Sequence, residues 1–293
     1  MIDKSIIFKI IGSLLFIEAL LLLACLFMAI GYQEDDVPAF IITIILTTLT
    51  GIVLRYLGRN ADNNMSRRDA YLVVTLSWII FSFFGTLPFI ISGYIPSFTD
   101  AYFETMSGFT TTGATIIDDV DKLPHGLLFW RSMTQWIGGL GIVFFTTAVL
   151  PSFVGGSVKV FAAEATGPIS SRLHPRLSTG AKWIWVVYLV LTIGCVLSFM
   201  ACGMGWFDSI NYAMGSTATG GFSTHTDSAE FFRSPAIEYV ATFFCFFSGV
   251  NFTLMYMAAK HRSIKMMFKS EEFRFYTFVV LAFSLFIMAE LMI

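Results

Sequence analysis

Of the 293 residues, 56% are apolar and only 13% charged, and the mean hydropathy is +0.75. An ordinary soluble domain carries about 25% charged residues, so this composition excludes that class and points to a membrane protein. The net charge of -2 excludes a strongly basic nucleic-acid-binding surface, and no nucleic acid partner is expected. Cys25, Cys195, Cys202 and Cys245 all lie in apolar runs, as packing residues do. His125, His174, His225 and His261 lack metal-ligand spacing, and no cluster of titratable groups suggests an enzyme or a cofactor.

Apolar runs of spanning length cover residues 5–31, 39–57, 70–92, 127–153, 182–203, 239–259 and 273–293. The first follows Lys4 and Lys9, and its Leu22-Leu23-Ala24-Cys25 has the look of a lipoprotein cleavage site. The run continues through Ala29, too long for a signal core, and reads as an uncleaved anchor. Between the third and fourth runs, and again between the fifth and sixth, the connection is too long for a turn and too short to span. Both connections read as re-entrant segments. With the amino terminus on the cytoplasmic side and both segments returning on the outer face, only Lys122, Arg131 and Arg233 of the 18 basic residues fall outside. The outer side instead collects acids, among them Glu34, Asp35, Asp36, Asp119, Asp121, Asp208 and Asp227. Glu18 and Glu290 lie within spans; neither is assigned to an ion, and Glu18 is expected to pair with a Ser or Thr hydroxyl of a neighbouring helix.

An internal repeat connects the two re-entrant segments. An offset of 108 residues places Asp100 on Asp208, Met106 on Met214, Thr111 on Thr219 and Gly113 on Gly221, without a gap. Each unit reads as a helix, a half-helix (97–109 or 207–216), an extended Thr/Gly strand and a second helix. The strands contain no acid, base or nucleophile. They offer carbonyls and hydroxyls on a backbone that lipid cannot satisfy, and a dehydrated monovalent cation can. The half-helices aim their negative carboxyl ends at the same place. Gly138-Gly139-Leu140-Gly141 and Gly155-Gly156 read as close helix contacts or bends rather than ion ligands.

Three stretches, SGFTTTGATI at 107–116, WRSMTQWIGGLGI at 130–142 and STATGGFST at 216–224, resemble the Trk/Ktr superfamily of potassium-uptake proteins, in particular its TrkH branch. The resemblance covers nearly the whole chain. It implies an all-α membrane protein with two extra transmembrane helices (1–69), a first M1–pore–M2 unit (70–153), a cytoplasmic linker (154–180), a second unit (181–262) and the first helix of a third (263–293). It further implies that the chain is the pore-forming part of a potassium uptake system in the cell inner membrane. Potassium, the transported species, would be held by the backbone of Thr111, Thr112, Gly113, Thr219, Gly220 and Gly221, with Ala114 and Phe222 completing the filter strands. Gly221 rather than Gly220 would be the central glycine of the second strand.

The implied partners are the lipid bilayer, missing carboxyl-terminal pore units, a second complete protomer in a homodimer, and a cytoplasmic nucleotide-binding regulatory ring that meets the loop 152–179. The family has four units where this chain holds two, and the chain stops inside an apolar run, as a fragment or half of a split transporter. Arg131 matches the arginine after the tryptophan at the head of the family's first M2 helix; it reads either as an interfacial, snorkelling side chain or as a brace for the filter. Uptake driven by the membrane potential is the first functional reading. A proton- or sodium-coupled symporter is the alternative, although the buried acid in a broken helix that marks one is missing.

Overall fold

The structure, a computed structural model, describes residues 3–61, 66–141 and 177–291. Among these the regular elements are all helical: α1 (Lys4–Tyr32), α2 (Val37–Leu57), α3 (Arg67–Ser92), α4 (Phe98–Phe109), α5 (His125–Leu140), α6 (Leu177–Ala201), α7 (Trp206–Thr217), α8 (Pro235–Ser248), α9 (Phe252–Lys260), α10 (Lys265–Lys269) and α11 (Glu271–Leu291). Five of them, α1, α2, α3, α6 and α11, are long and apolar enough to cross a membrane. The chain is an all-α, multi-pass membrane protein.

Local chemistry sets the helix ends. Asp3 caps α1 by accepting from the amides of Ser5 and Ile6 at 2.9 and 3.4 Å. Ser66 and Asp69 form a reciprocal capping box at α3. Helix α1 is apolar all round and mostly buried, as a central helix of a bundle should be. It packs against α2 through glycine: a side chain on Gly12 would lie 2.8 Å from the Gly51 carbonyl. Without a hydrophobic force between helices in lipid, such close backbone contact supplies the attraction. Glu18 is fully buried on this helix, yet among the described residues neither carboxylate oxygen has a hydrogen-bond partner. The expected pairing with a hydroxyl is therefore not formed. The Thr47 hydroxyl, buried on α2, is likewise unpartnered.

Residues expected on one side of the membrane gather at one end of the bundle. At the acidic end, Tyr94 donates to Asp35 at 3.1 Å and Glu34 meets His125. At the other end, the Asp3 amide donates to Asp69 at 3.1 Å, and Gly58 closes on Ser5 and Lys9.

The expected span 239–259 is not one helix. It breaks between Ser248 and Phe252 into α8 and α9, bent by 92°. The residues at the break are Gly249, pressed against the Tyr276 hydroxyl, and Asn251, whose Oδ1 accepts from the Thr253 amide at 2.9 Å and starts the new helix. Hydropathy runs straight through the break because the capping residue is a single Asn among apolar neighbours. Of the expected span 127–153, the described part is α5, which ends at Gly141 (φ 80°); the remainder, Gly155-Gly156 and the loop 152–179 up to Arg176, lie outside the described residues.

Candidate site: two Thr/Gly strands around one helix

Helices α4 and α7 are each 12 residues long and begin 108 residues apart. The chain leaves both in the same way. Thr112 N donates to Ser107 O at 3.0 Å, and Gly220 N to Gly215 O at 2.9 Å. Thr111 and Thr219 both have φ 54°, while Gly113 and Gly221 have φ 74° and 86°. A left-handed conformation at a β-branched residue is a genuine outlier, and it occurs twice at equivalent places. The two glycines take the positive φ that only glycine adopts freely.

All eight residues singled out by the sequence lie on these two segments: Thr111, Thr112, Gly113 and Ala114 on the first, Thr219, Gly220, Gly221 and Phe222 on the second. The segments touch, since a Cβ on Gly113 would overlap the Gly220 carbonyl oxygen. Gly220 differs from Gly221 in what makes it glycine. Its φ is not positive, but a Cβ there would stand 2.5 Å from Gln135 Cδ; beside Gly221 there is open space. Backbone freedom thus selects Gly221, and lack of room selects Gly220.

Helix α5 is the post on which both strands are fixed. Arg131, only 2% exposed, reaches both. Its Nε and Nη2 donate to Glu104 Oε1 at 2.9 and 2.8 Å, and its Nη1 donates to the Ser223 carbonyl at 3.0 Å. Its guanidinium lies 4.2 Å from the centre of the Phe222 ring. Glu104, itself buried, also accepts from Thr115 Oγ1 at 3.0 Å and from the Ile116 amide at 3.1 Å. Arg131 is therefore buried and bracing, and the snorkelling alternative is wrong: the carboxylate that draws it inward comes from α4, 27 residues earlier.

One turn deeper on the same face, Gln135 Oε1 accepts from the Phe222 amide at 3.0 Å. Further along the helix, a Cβ on Gly138 would overlap the Phe109 carbonyl and one on Gly139 would stand 2.9 Å from the Ala218 Cα, where α4 and α7 end. These glycines are close contacts, as expected. Sequence reasoning missed Glu104, Gln135 and Tyr212, whose hydroxyl lies 2.5 Å from Ser223 Oγ. The available signal was α-helical spacing, because Arg131, Gln135, Gly138 and Gly139 fall on one face at steps of three and four.

Outside the strands the two units are latched. Asp121 accepts from Thr226 N and Oγ1 at 3.1 and 2.8 Å and pairs with His225 Nδ1 at 2.7 Å; the other ring nitrogen of His225 is 3.5 Å from Asp208. The histidine and the threonine pull the Asp121 carboxyl down to about 2. The loop between α1 and α2 caps the amino-terminal end of α5: Glu34 accepts from the His125 amide at 2.6 Å, where Pro124 offers no cap. Beside it Asp36 is buried against Gly126, and burial, with the neighbouring Glu34 charge, raises its carboxyl to about 6. Among the described residues no group of three or more His, Cys, Asp or Glu could hold a metal ion.

Comparison with known proteins gives the family. Residues 36–293 match the family model for TrkH, cation transport protein. The chain is 36% identical over 271 residues to the Trk system potassium uptake protein TrkH of Halomonas elongata, covering 92% of this chain and 56% of that protein. To the TrkH of Escherichia coli K12 it is 36% identical over 267 residues, covering 90% and 55%. It superposes on the crystal structure of the potassium transporter TrkH from Vibrio parahaemolyticus with a TM-score of 0.82 at 35% identity, over 96% of this chain and 57% of that one. The chain thus spans a little over half the length of the relatives it matches. With two glycine-centred strands on one buried arginine and a family match over 36–293, the chain belongs to the TrkH family of cation transport proteins.

Proposed function

We propose that the chain supplies two walls of a potassium-conducting pore, and that ions pass inward along the backbone carbonyls of Thr111, Thr112, Gly113, Thr219, Gly220 and Gly221, flanked by Ala114 and Phe222. The observation that carries the reading is the repeated conformation of the strands, left-handed at Thr111 and Thr219 and again at Gly113 and Gly221. Two strained segments, free of acid–base chemistry and fixed by one buried arginine, suit the replacement of an ion's hydration shell by carbonyl oxygens. The named relatives are potassium uptake proteins, which supports potassium as the ion.

In this reading residues 1–69 form a flanking helix pair, 70–153 and 181–262 the two pore units, 154–180 a cytoplasmic linker and 263–293 the opening of a further unit. The basic end of the bundle, with the amino terminus, faces the cytoplasm of a cell inner membrane, where the linker would meet a regulatory ring. Two strands make half of a four-sided cage, so in this reading the conducting assembly needs two more, from a carboxyl-terminal half.

Reconstitution in liposomes tests this. The chain alone should carry no potassium flux, and the chain supplied with such a half should carry it. Flux from the chain alone would contradict the two-wall reading and favour pairing of two copies.

A further inference from the structure

We propose that Gln135 aims the Gly221 carbonyl into the pore and is thereby a selectivity-determining residue, although it contributes no atom to the ion's path. The inference rests on the carbonyl-cage reading and adds to it the residue that orients one of the cage's oxygens.

The peptide unit between Gly221 and Phe222 sets the carbonyl's direction. It is planar, and no cis peptide occurs among the described residues, so its C=O and N–H point in opposite directions. The N–H is tied: Phe222 N donates to Gln135 Oε1 at 3.0 Å, toward helix α5 and into the protein. The Gly221 carbonyl must then point away from Gln135, which in the carbonyl-cage reading is toward the ion's path. Gly221 could not hold this direction unaided, because it has positive φ with open space around it. A glycine so placed has the fewest barriers to a peptide flip.

Gln135 itself cannot move aside. It is fully buried, and its amide is flush against Gly220, where a Cβ would lie 2.5 to 2.7 Å from Cδ, Oε1 and Nε2. Among the described residues its Nε2 has no hydrogen-bond partner despite burial. Buried polar groups are nearly always paired, so retention of a half-satisfied amide here points to the acceptor half as the part that matters. An apolar residue of similar size would fill the space equally well without leaving a donor unpaired. The first unit fixes the adjoining region differently: Ser107 Oγ donates to the Ala114 carbonyl at 2.6 Å from within the unit. The second unit has Gly215 at the position equivalent to Ser107, so its anchor comes from α5.

The test is the potassium-to-sodium permeability ratio of the conducting assembly, read from bi-ionic reversal potentials, for Gln135→Leu, Gln135→Met and Gln135→Glu, with Gly113→Ser as reference. Leucine and methionine keep the volume but remove the acceptor, and each should lower the ratio about three- to tenfold, the equivalent of one net hydrogen bond. Glutamate keeps an oxygen for the Phe222 amide and should stay within about twofold of wild type, well short of that loss. Wild-type ratios for leucine or methionine, or an equal loss in all three variants, would overturn the role of Gln135. Those outcomes leave the cage reading intact if Gly113→Ser still loses selectivity. A wild-type assembly without discrimination would instead remove the cage reading itself.

Discussion

The two Thr/Gly strands share a backbone but not the chemistry that holds it. The first is tied by charge: Glu104 gathers Thr115, the Ile116 amide and Arg131. The second is tied mainly by hydroxyls of its own, with Tyr212 on Ser223 and Thr224 donating to the Asp208 carboxylate at 2.7 Å, and it borrows Arg131 and Gln135 from the first unit's α5. Glu104 and Tyr212 occupy equivalent positions, as do Thr115 and Ser223, so the contact is kept while its chemistry has changed from ionic to neutral. The duplicated units are thus not independent, because the first unit's second helix is a structural part of the second strand.

The largest effect on both strands is expected at Arg131. Removing one member of a buried, hydrogen-bonded pair leaves an unpaired charge and costs about 3–5 kcal/mol. Arg131→Met should therefore lower unfolding stability in detergent by that order and disturb both strands. Glu104→Gln should act mainly on the first, so that cysteine accessibility rises at Thr115 and stays unchanged at Ser223. Equal disturbance of both strands by Glu104→Gln would mean that they are not separately anchored.

The glycines come next. Gly113 combines positive φ with no room, Gly220 has no room at ordinary φ, and Gly221 has positive φ with room. Serine at Gly113 should be the most damaging, followed by Gly220→Ala, where forced overpacking costs about 1–3 kcal/mol. Gly221→Ser should follow, at about 1–2 kcal/mol for the left-handed backbone. Thermal unfolding orders them, and Gly221→Ser as the worst of the three would contradict the distinction between space and conformation.

How much of this could be read from the sequence depends on the kind of interaction. Helices set by long apolar runs were legible, as were the two strands, because a gap-free repeat carried Thr111 onto Thr219 and Gly113 onto Gly221. The 92° break after Ser248 was not, since one Asn and one Gly redirect a run whose hydropathy never falls. Arg131 was legible only as a choice of two roles, because its partner Glu104 is remote in sequence. Gly220 looked secondary beside Gly221 because the repeat records backbone conformation, whereas the reason for Gly220 is the Gln135 side chain of another segment.

Two titrations at the acidic end of the bundle have opposite signs. Asp121 has a depressed pKa, so its contribution is complete above the ordinary carboxylate value near 4 and is lost as pH falls toward about 2. The group is half exposed, so Asp121→Asn should flatten acid unfolding in that window only slightly. Asp36 has a raised pKa, so the folded state favours its protonated form and stability declines as pH rises from about 4 through about 6. Asp36→Asn should remove that slope and leave the protein more stable at neutral pH, by on the order of 1 kcal/mol. Unfolding midpoints between pH 4 and 8 check it, and an unchanged slope would show that Asp36 is not the titrating group. The smallest effect belongs to topology: single cysteines at Asp35, Asp119 and Asp227 should label from outside intact cells without altering function, and those at Asn60 and His261 should not.

The central claim is that the paired strands form part of a potassium-selective cage. The bi-ionic reversal potential of the conducting assembly, with potassium on one side and sodium on the other, measures this directly for the wild type and for Gly113→Ser. The proposed cage predicts a wild-type potential set by the potassium gradient and a shift toward zero when Gly113 carries a side chain that must displace the Gly220 carbonyl. A wild-type potential near zero, or a Gly113→Ser assembly as selective as wild type, would contradict it.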